Sequence, residues 1–388
     1  MYSRIVISAV LLAFGLSGPA SAADSTEMLK KEVSALKRQN KLILDRLEAV
    51  MDVAEKSPSR KGASHTRLGG YGELHLNQLD NNRVGGSDKN EIDLHRLIVF
   101  LGHDFSKDIR FWSEIEIEHT KVDDEGGEVA IEQAYIEFDL AENLLARAGV
   151  VLVPVGIMNE THEPPTFYGV ERNNVEKNII PTTWREAGVS INGRSGALAY
   201  DVMLHSGLET SAADNYAIRD GRQSVRKAPA DDFALTARVK WTGIAGLELS
   251  AAIQQQADIT QGNDATAGSA TLLETHLAWQ TGPFTLRALY ASWSLDGEGP
   301  AAVGADEQTG WYVEPSYKIS PKFGVFARLS NWDNTVNSGA DSETSQTDVG
   351  FNYWPHGDVV IKFDYQTQDA PEGSDEYDGI NLGIGYQF

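Results

Sequence analysis

The sequence predicts an all-β fold: a sixteen-stranded antiparallel transmembrane β-barrel with an N-terminal periplasmic coiled-coil helix. Three observations predict it. First, the segment DGINLGIGYQF puts Ile380, Leu382, Ile384, Tyr386 and Phe388 on one strand face and Gly379, Asn381, Gly383, Gly385 and Gln387 on the other, because strand side chains alternate sides. Second, this alternation recurs in units of about ten residues, the signature of strands with lipid outside and water inside. Third, the chain opens on an export signal.

That signal is residues 1–22. It has one basic residue (Arg4), an apolar run from Ile5 to Leu16 and a small-residue exit, Ala20-Ser21-Ala22, as in a cleaved secretory peptide. The run is shorter than the ~20 residues a spanning helix needs, and no later stretch approaches that length. Cysteine is absent, so disulfides and thiol chemistry are excluded. The net charge of −23 grows by one unit when Arg4 leaves. It argues against nucleic acid, whose phosphates require Lys and Arg.

Residues 23–56 form a coiled-coil segment. Leu29, Leu36, Ile43 and Val50 occupy d positions, and Val33, Asn40, Leu47 and Ala54 occupy a positions. A lone Asn among apolar a residues is a common register device, so the partner helices are expected from sister chains. Residues 57–66, with Pro58 and Gly62, read as a flexible linker.

The barrel spans 67–388. Its strands are expected near 67–77, 91–103, 109–119, 129–140, 144–151, 183–192, 197–205, 231–241, 246–256, 271–280, 283–293, 308–319, 322–332, 346–354, 358–368 and 378–388. Ser106–Asp108, Ala141–Asn143, Asn192–Gly196, Thr242–Ala245, Thr281-Gly282, Ser320-Pro321 and Pro355–Gly357 are tight turns, rich in turn-forming residues. Every second connection is long: 78–90, 121–128, 152–182, 206–230, 257–270, 294–307, 333–345 and 369–377. An even strand count puts both barrel ends on the short-turn side, so the helix is expected in the periplasm and the barrel in the cell outer membrane. The strand at 91–103 does not sort into two faces, since His95 interrupts one and Arg96 the other; this admits a bulge. Trp241, Trp279, Trp293, Trp311 and Trp332 lie near strand ends, as interfacial aromatics do, although Trp293 and Trp332 fall on the lumen phase. Tyr386 and Phe388 are expected to act as an assembly signal in the terminal strand.

The lumen phase carries the candidate pore wall. Glu114, Glu116 and Glu118 stack on one inner face, while Arg147, Arg238, Arg287, Arg328 and Lys362 supply basic groups elsewhere. Two readings stand: wall charges neutralised in pairs, or walls of opposite sign that order water and select solutes. The segment 152–182 differs from the other long loops. It is apolar and marked by Pro154, Pro164, Pro165 and Pro181, which predicts a packed loop folded into the barrel. Sixteen strands alone leave an aqueous channel, so this loop would set the constriction, with Glu160, His162, Glu163, Glu171, Arg172, Glu176, Lys177 and Arg185 as candidates. His162-Glu163 is not read as a metal pair, because no second His stands at ligand spacing. No metal or cofactor is expected.

The GYGELHLN run (Gly70–Asn77) and the VPVG…NETHEPPTFYGVERN segment (Val153–Asn173) resemble the phosphate-selective porin O/P family across essentially the whole mature chain. The resemblance implies a trimeric outer-membrane porin for small hydrophilic solutes and ions, in contact with membrane lipid and lipopolysaccharide, and no enzymatic activity. Members selective for phosphate carry an arginine ladder and a lysine cluster. Arg147, Arg238, Arg287 and Arg328 are ladder-like, but the loop holds only Lys177 among four Glu residues. The acidic loops therefore predict a weakly cation-preferring or near-unselective pore in dilute salt. The alternatives are a phosphate- or anion-selective channel, or a tether between outer membrane and cell wall. A lipase-like site is disfavoured because no His accompanies Ser113 on the outer phase. A large gated receptor would need about twenty-two strands and a plug.

Overall fold

In the computed structural model the described residues are 65–122 and 126–388. The signal at 1–22, the heptad segment and nearly all of the linker lie outside them, as do Asp123, Asp124 and Glu125. Sixteen antiparallel strands close into one barrel, each paired with its chain neighbours. They are β1 (His65–Asn81), β2 (Lys89–Asp104), β3 (Ile109–Glu118), β4 (Val129–Ala141), β5 (Leu144–Leu152), β6 (Arg185–Ser195), β7 (Leu198–His205), β8 (Ala234–Ile244), β9 (Leu247–Gln256), β10 (Ala270–Thr281), β11 (Phe284–Leu295), β12 (Glu307–Ser320), β13 (Phe323–Asp333), β14 (Thr344–His356), β15 (Val359–Asp369) and β16 (Tyr377–Gln387). β1 and β16 close the ring, in register from Tyr71 against Gln387 to Asn81 against Tyr377. Closure leaves no unpaired edge, the condition for strands to cross a bilayer.

Each expected strand has a counterpart, with shifted ends. β1 extends beyond the expected segment at both ends, β8 starts later, and β6 begins at Arg185 rather than 183. The short connections turn through left-handed residues such as Gly196 and Gly246, where a side chain would add strain. Alternation is plain along β16: Asn381, Gly383 and Gly385 are buried, whereas Leu382 and Ile384 are exposed. Around the ring Leu235, Ile253, Leu273, Tyr290, Val349 and Tyr365 are likewise exposed. A continuous apolar belt of this kind is stable against lipid and not against water.

Two strands break the alternation. The β1–β2 register slips between Glu73 and Leu74, leaving His95 without a partner. The β3–β4 register slips after Glu114, which pairs with Gln133 while Ile115 pairs with Ile131, so Glu132 is skipped. Such bulges re-aim the extra side chain. Arg96 and Glu132 both end fully buried on the lumen side.

Candidate functional site

The β5–β6 connection, 153–184, fills much of the lumen. Val153, Val155, Met158, Phe167, Val170, Val175, Ile179, Ile180 and Trp184 are all buried. Most of them pack in one cluster with Leu289 and Trp293 of β11 and Tyr312 of β12. Each such side chain contributes about 1.5–3 kcal/mol when taken from water, which offsets part of the cost of ordering a long loop. Trp293 is thus a lumen residue, and its Nε1 donates to the Ile179 carbonyl at 2.9 Å. Trp279 and Trp311 face outward and are exposed.

Polar bonds fix the loop's shape. Asn159 joins its two ends: Nδ2 donates to the carbonyls of Val153 (2.8 Å) and Trp184 (2.9 Å), and Oδ1 accepts from Trp184 N (2.6 Å). Glu176 accepts from the amides of Ile157 and Met158 and from the Tyr312 hydroxyl at 2.9, 2.5 and 2.8 Å. Gly156 is left-handed at φ +78°, and a Cβ there would lie 2.6 Å from the Glu176 carboxylate.

The loop is fastened across the barrel. Its carbonyls at Thr166, Phe167 and Tyr168 accept from Arg287 (3.0 Å), Asn352 (2.9 Å) and Arg328 (3.4 Å). Val170 N donates to Asp364 at 2.6 Å. On the other side Arg96 donates to the His162 carbonyl at 2.9 Å, and Glu171 bonds His75 Nδ1 at 3.0 Å.

Besides Glu171, held by His75, the candidate constriction residues divide into four sets. Glu160 pairs with Arg238 and lies 3.8 Å from Lys240. Glu176 is buried and spent on the loop's own amides. Arg172 donates to Thr183 Oγ1 at 2.9 Å, Lys177 is exposed, Glu163 is half-buried, and Arg185 is 4.0 Å from Glu128. His162 points into the β3–β4 wall, 3.5 Å from Glu132 and 4.0 Å from Glu114.

Of the ladder-like arginines, three hold carboxylates. Arg147 bonds Glu137 (2.8 Å), Arg238 bonds Asp201 (2.7 Å), and Arg328 lies between Glu314 (3.2 Å) and Asp348 (3.0 Å). Arg287 donates to the loop. Lys362 sits 3.3 Å over the Phe167 ring. Glu114 and Glu116 are buried, while Glu118 is half-buried. Tyr386 lies against Gly72 of β1, and Phe388 extends the closing seam through reciprocal backbone bonds with Gly70.

Sequence reasoning missed a second inward segment. In the β7–β8 connection, Leu208, Tyr216 and Ile218 join the same apolar cluster. Arg219 Nη1 donates to the carbonyls of Lys177 (3.0 Å) and Thr182 (3.2 Å), and Arg222 Nη1 to those of Pro181 and Thr183 at 3.4 Å. Arg172, Lys177, Arg185, Arg219 and Arg222 therefore form one basic cluster from two loops and a strand end. Burial, then the charges of Arg222 and Arg172, pushes the Arg219 guanidinium below its ordinary range. Burial, then Arg185 and Arg172, does the same to Arg222. These groups are close enough to repel one another. At the short-turn end a cavity of about 790 Å³ opens among Asp139, Asn192, Arg194 and Asp201.

Comparison with known proteins places this architecture. A family model described as phosphate-selective porin O and P matches residues 69–388. An uncharacterized protein of Aquifex aeolicus (strain VF5) is 31% identical over 380 residues, covering 85% of this chain and 84% of its own. The outer-membrane channel DcaP of Acinetobacter baumannii superposes with a TM-score of 0.60 at 18% identity, over 84% of this chain and 98% of that one. An anion-selective porin from Comamonas acidovorans gives a TM-score of 0.60 at 12% identity, over 84% and 100%. The trimer form of OmpT from Vibrio cholerae gives 0.56 at 11%, over 84% and 100%.

Proposed function

The chain belongs to the phosphate-selective porin O and P family and is an outer-membrane channel, and from that premise we propose that it prefers anions over cations at its constriction. The observation that carries this reading is the basic cluster of Arg172, Lys177, Arg185, Arg219 and Arg222. All but Arg185 are at least partly exposed. On the neighbouring β3–β4 wall Glu114, Glu116 and Glu132 are buried, while among the described residues there Glu118 is half-buried and Glu128 exposed. Charge at a narrow, low-dielectric passage acts more strongly on a passing ion than charge spread over a wide mouth. This reading departs from the weak cation preference that the acidic total predicts, because that total counts buried and paired carboxylates with exposed ones. Loop 153–184 sets the passage, and the second loop places Arg219 and Arg222 over it.

Single-channel recording in a KCl gradient near 0.1 M tests the proposal. The native protein should show a reversal potential of chloride sign. Arg219→Gln with Arg222→Gln should move it toward zero or past it. A potassium preference in the native channel overturns the reading. The effect should fade toward 1 M salt, where the Debye length shrinks to about 3 Å.

The assembly reading rests on the sequence. Residues 1–22 serve as the export signal, and the heptad of residues 23–56 lies in the periplasm and joins chains, three being favoured by the trimer form of one structural relative. The outer belt meets lipid and, in the outer leaflet, lipopolysaccharide. Removing residues 24–64 should weaken the oligomer in native mass spectrometry; an unchanged oligomer would show that the barrel assembles without the helix.

A further inference from the structure

Three side chains on the β3–β4 side of the lumen are left over by the channel reading. Glu114 of β3, Glu132 at the β4 bulge and His162 of the loop converge, with one ligand-capable atom from each lying within 4.8 Å of the others. Glu132 is 0%, Glu114 2% and His162 3% exposed. Both carboxylate oxygens of Glu132 and the His162 Nε2 have no hydrogen-bond partner. Buried polar atoms are rarely left in this state, since each costs about 1–3 kcal/mol, and more when charged.

We propose that Glu114, Glu132 and His162 bind a divalent transition-metal ion, Zn²⁺ being the best match, and that the ion fastens loop 153–184 to the β3–β4 wall. The donor set is right for it: one imidazole nitrogen and two carboxylates suit Zn²⁺ or a similar borderline cation rather than Ca²⁺ or Mg²⁺. The ring is correctly turned. His162 Nδ1 faces the Asn159 carbonyl at 3.2 Å, and a carbonyl only accepts, so Nδ1 carries a proton and Nε2 is the nitrogen turned to the carboxylates and placed to ligate. A hydrogen-bonded Nδ1 behind a ligating Nε2 is the usual support of a metal-bound histidine. Glu114 has its own support, since Gln133 donates to its second oxygen.

The spacing also fits. Donors held about 2.0–2.2 Å from a tetrahedral Zn²⁺ stand roughly 3.3–3.5 Å apart, against 3.5 and 4.0 Å for His162 Nε2 to Glu132 and Glu114. Closing the difference takes up to about 0.7 Å for the His162 pairs, and all three donor atoms lie within 4.8 Å of one another. Charge balance points the same way. Glu73, Glu114, Glu116 and Glu132 are four buried carboxylates, and the buried basic groups near them turn to Glu73: Arg96 has its Nε committed to it at 2.6 Å, His75 lies 3.3 Å from it, and Lys362 has it as a charge partner. A second group, His75, His95 and Glu171, also meets the spacing, but His75 already bonds Glu171 and lies 3.3 Å from Glu73, so it is less in need of an ion.

The ligands could not be found by sequence spacing because the bulge at Glu132 and the fold of the loop, not local separation, bring them together. The competing account is a doubly protonated His162 bridging two carboxylates. Equilibrium dialysis of the full-length protein against ZnCl₂, after chelator treatment, separates the two. The native chain should retain one Zn²⁺ per chain at an affinity at least tenfold above that of Glu132→Gln and of His162→Gln, and Zn²⁺ should raise the unfolding temperature of the native chain only. Glu372→Gln, in a surface loop, should leave the affinity unchanged. Should Glu132→Gln fail to fold, Glu114→Gln takes its place, and the visible absorption of Co²⁺ bound to the native chain reports nitrogen and oxygen ligation directly. Zn²⁺ binding that is absent, or equal in native and variant chains, overturns the proposal.

Discussion

On the wall formed by β12, β13 and β14, Arg328 lies between Glu314 and Asp348 at 3.2 and 3.0 Å and also reaches the Tyr168 carbonyl. On the wall formed by β3 and β4, Glu114 and Glu132 face His162 at 4.0 and 3.5 Å, and no hydrogen bond reaches either oxygen of Glu132. Both walls bury charge against the same loop. The first is electrostatically closed and holds the loop with the protein's own groups. The second is left open, and stays favourable only with a cation or with protons. The loop thus has one permanent anchor and one conditional anchor, and the variants below act on each in turn.

The largest effect should come from the permanent anchor. Arg328→Gln leaves Glu314 and Asp348 buried without their cation, and breaking a buried pair in this way typically costs about 3–5 kcal/mol. Loss of the Tyr168 contact adds to it. Heat-modifiable mobility or urea unfolding in detergent should show a clear fall in stability. A change below about 1 kcal/mol would mean that water reaches this wall and that the contrast between the walls is false.

Next is the loop's internal brace. Glu176→Leu roughly keeps the size of the side chain but removes both acceptor oxygens, so the Ile157 and Met158 amides lose their shared partner. A buried amide left unsatisfied costs about 1–3 kcal/mol. The barrel should still form, because its strands pair without Glu176. The loop should loosen, seen as larger open-channel noise and faster protease cleavage within 153–184. Quiet channels with native cleavage would show that the two anchors hold the loop without the brace.

How much of this was visible in the sequence depends on which forces act locally. The β16 alternation is a property of eleven consecutive residues, and lipid on one side enforces it, so the barrel could be read directly. The apolar, proline-marked character of 152–182 is also local, and its side chains are buried in the structure. Arg147, Arg238 and Arg328 could be placed on the lumen phase, but their partners Glu137, Asp201 and Asp348 lie on neighbouring strands, and pairing depends on register. Register is what a bulge alters. Nothing in the residues around Glu132 marks the extra residue that turns it inward. At 91–103 the clash of His95 with Arg96 did show, because two polar residues in sequence interrupted both faces. The segment 206–230 reads as a polar loop because Leu208, Tyr216 and Ile218 are too sparse to form a periodic pattern. They find their partners only in the other loop.

The smallest effect should come from Arg287, and it sharpens the comparison because Arg287 stands on the same side as Arg328. It is opposite Glu314 in the β11–β12 register, yet its described bond runs from Nη2 to the Thr166 carbonyl at 3.0 Å. Glu314 already has Arg328. Arg287→Gln therefore strands no buried charge, and a partly exposed carbonyl that loses its donor can turn to water. The expected cost is one net hydrogen bond, about 0.5–1.5 kcal/mol, against several for Arg328→Gln. The side chain is half-buried, so its charge reaches the lumen water, and its removal should lower the chloride preference slightly, by less than the paired change at Arg219 and Arg222. Equilibrium unfolding and reversal potentials measured side by side for Arg287→Gln and Arg328→Gln decide the point. If the two variants lose equal stability, Arg287 shares the burial of Glu314 and the closed wall extends to β11. If Arg287→Gln changes selectivity more than the loop arginines do, the narrowest charged ring lies at β11 rather than at the basic cluster.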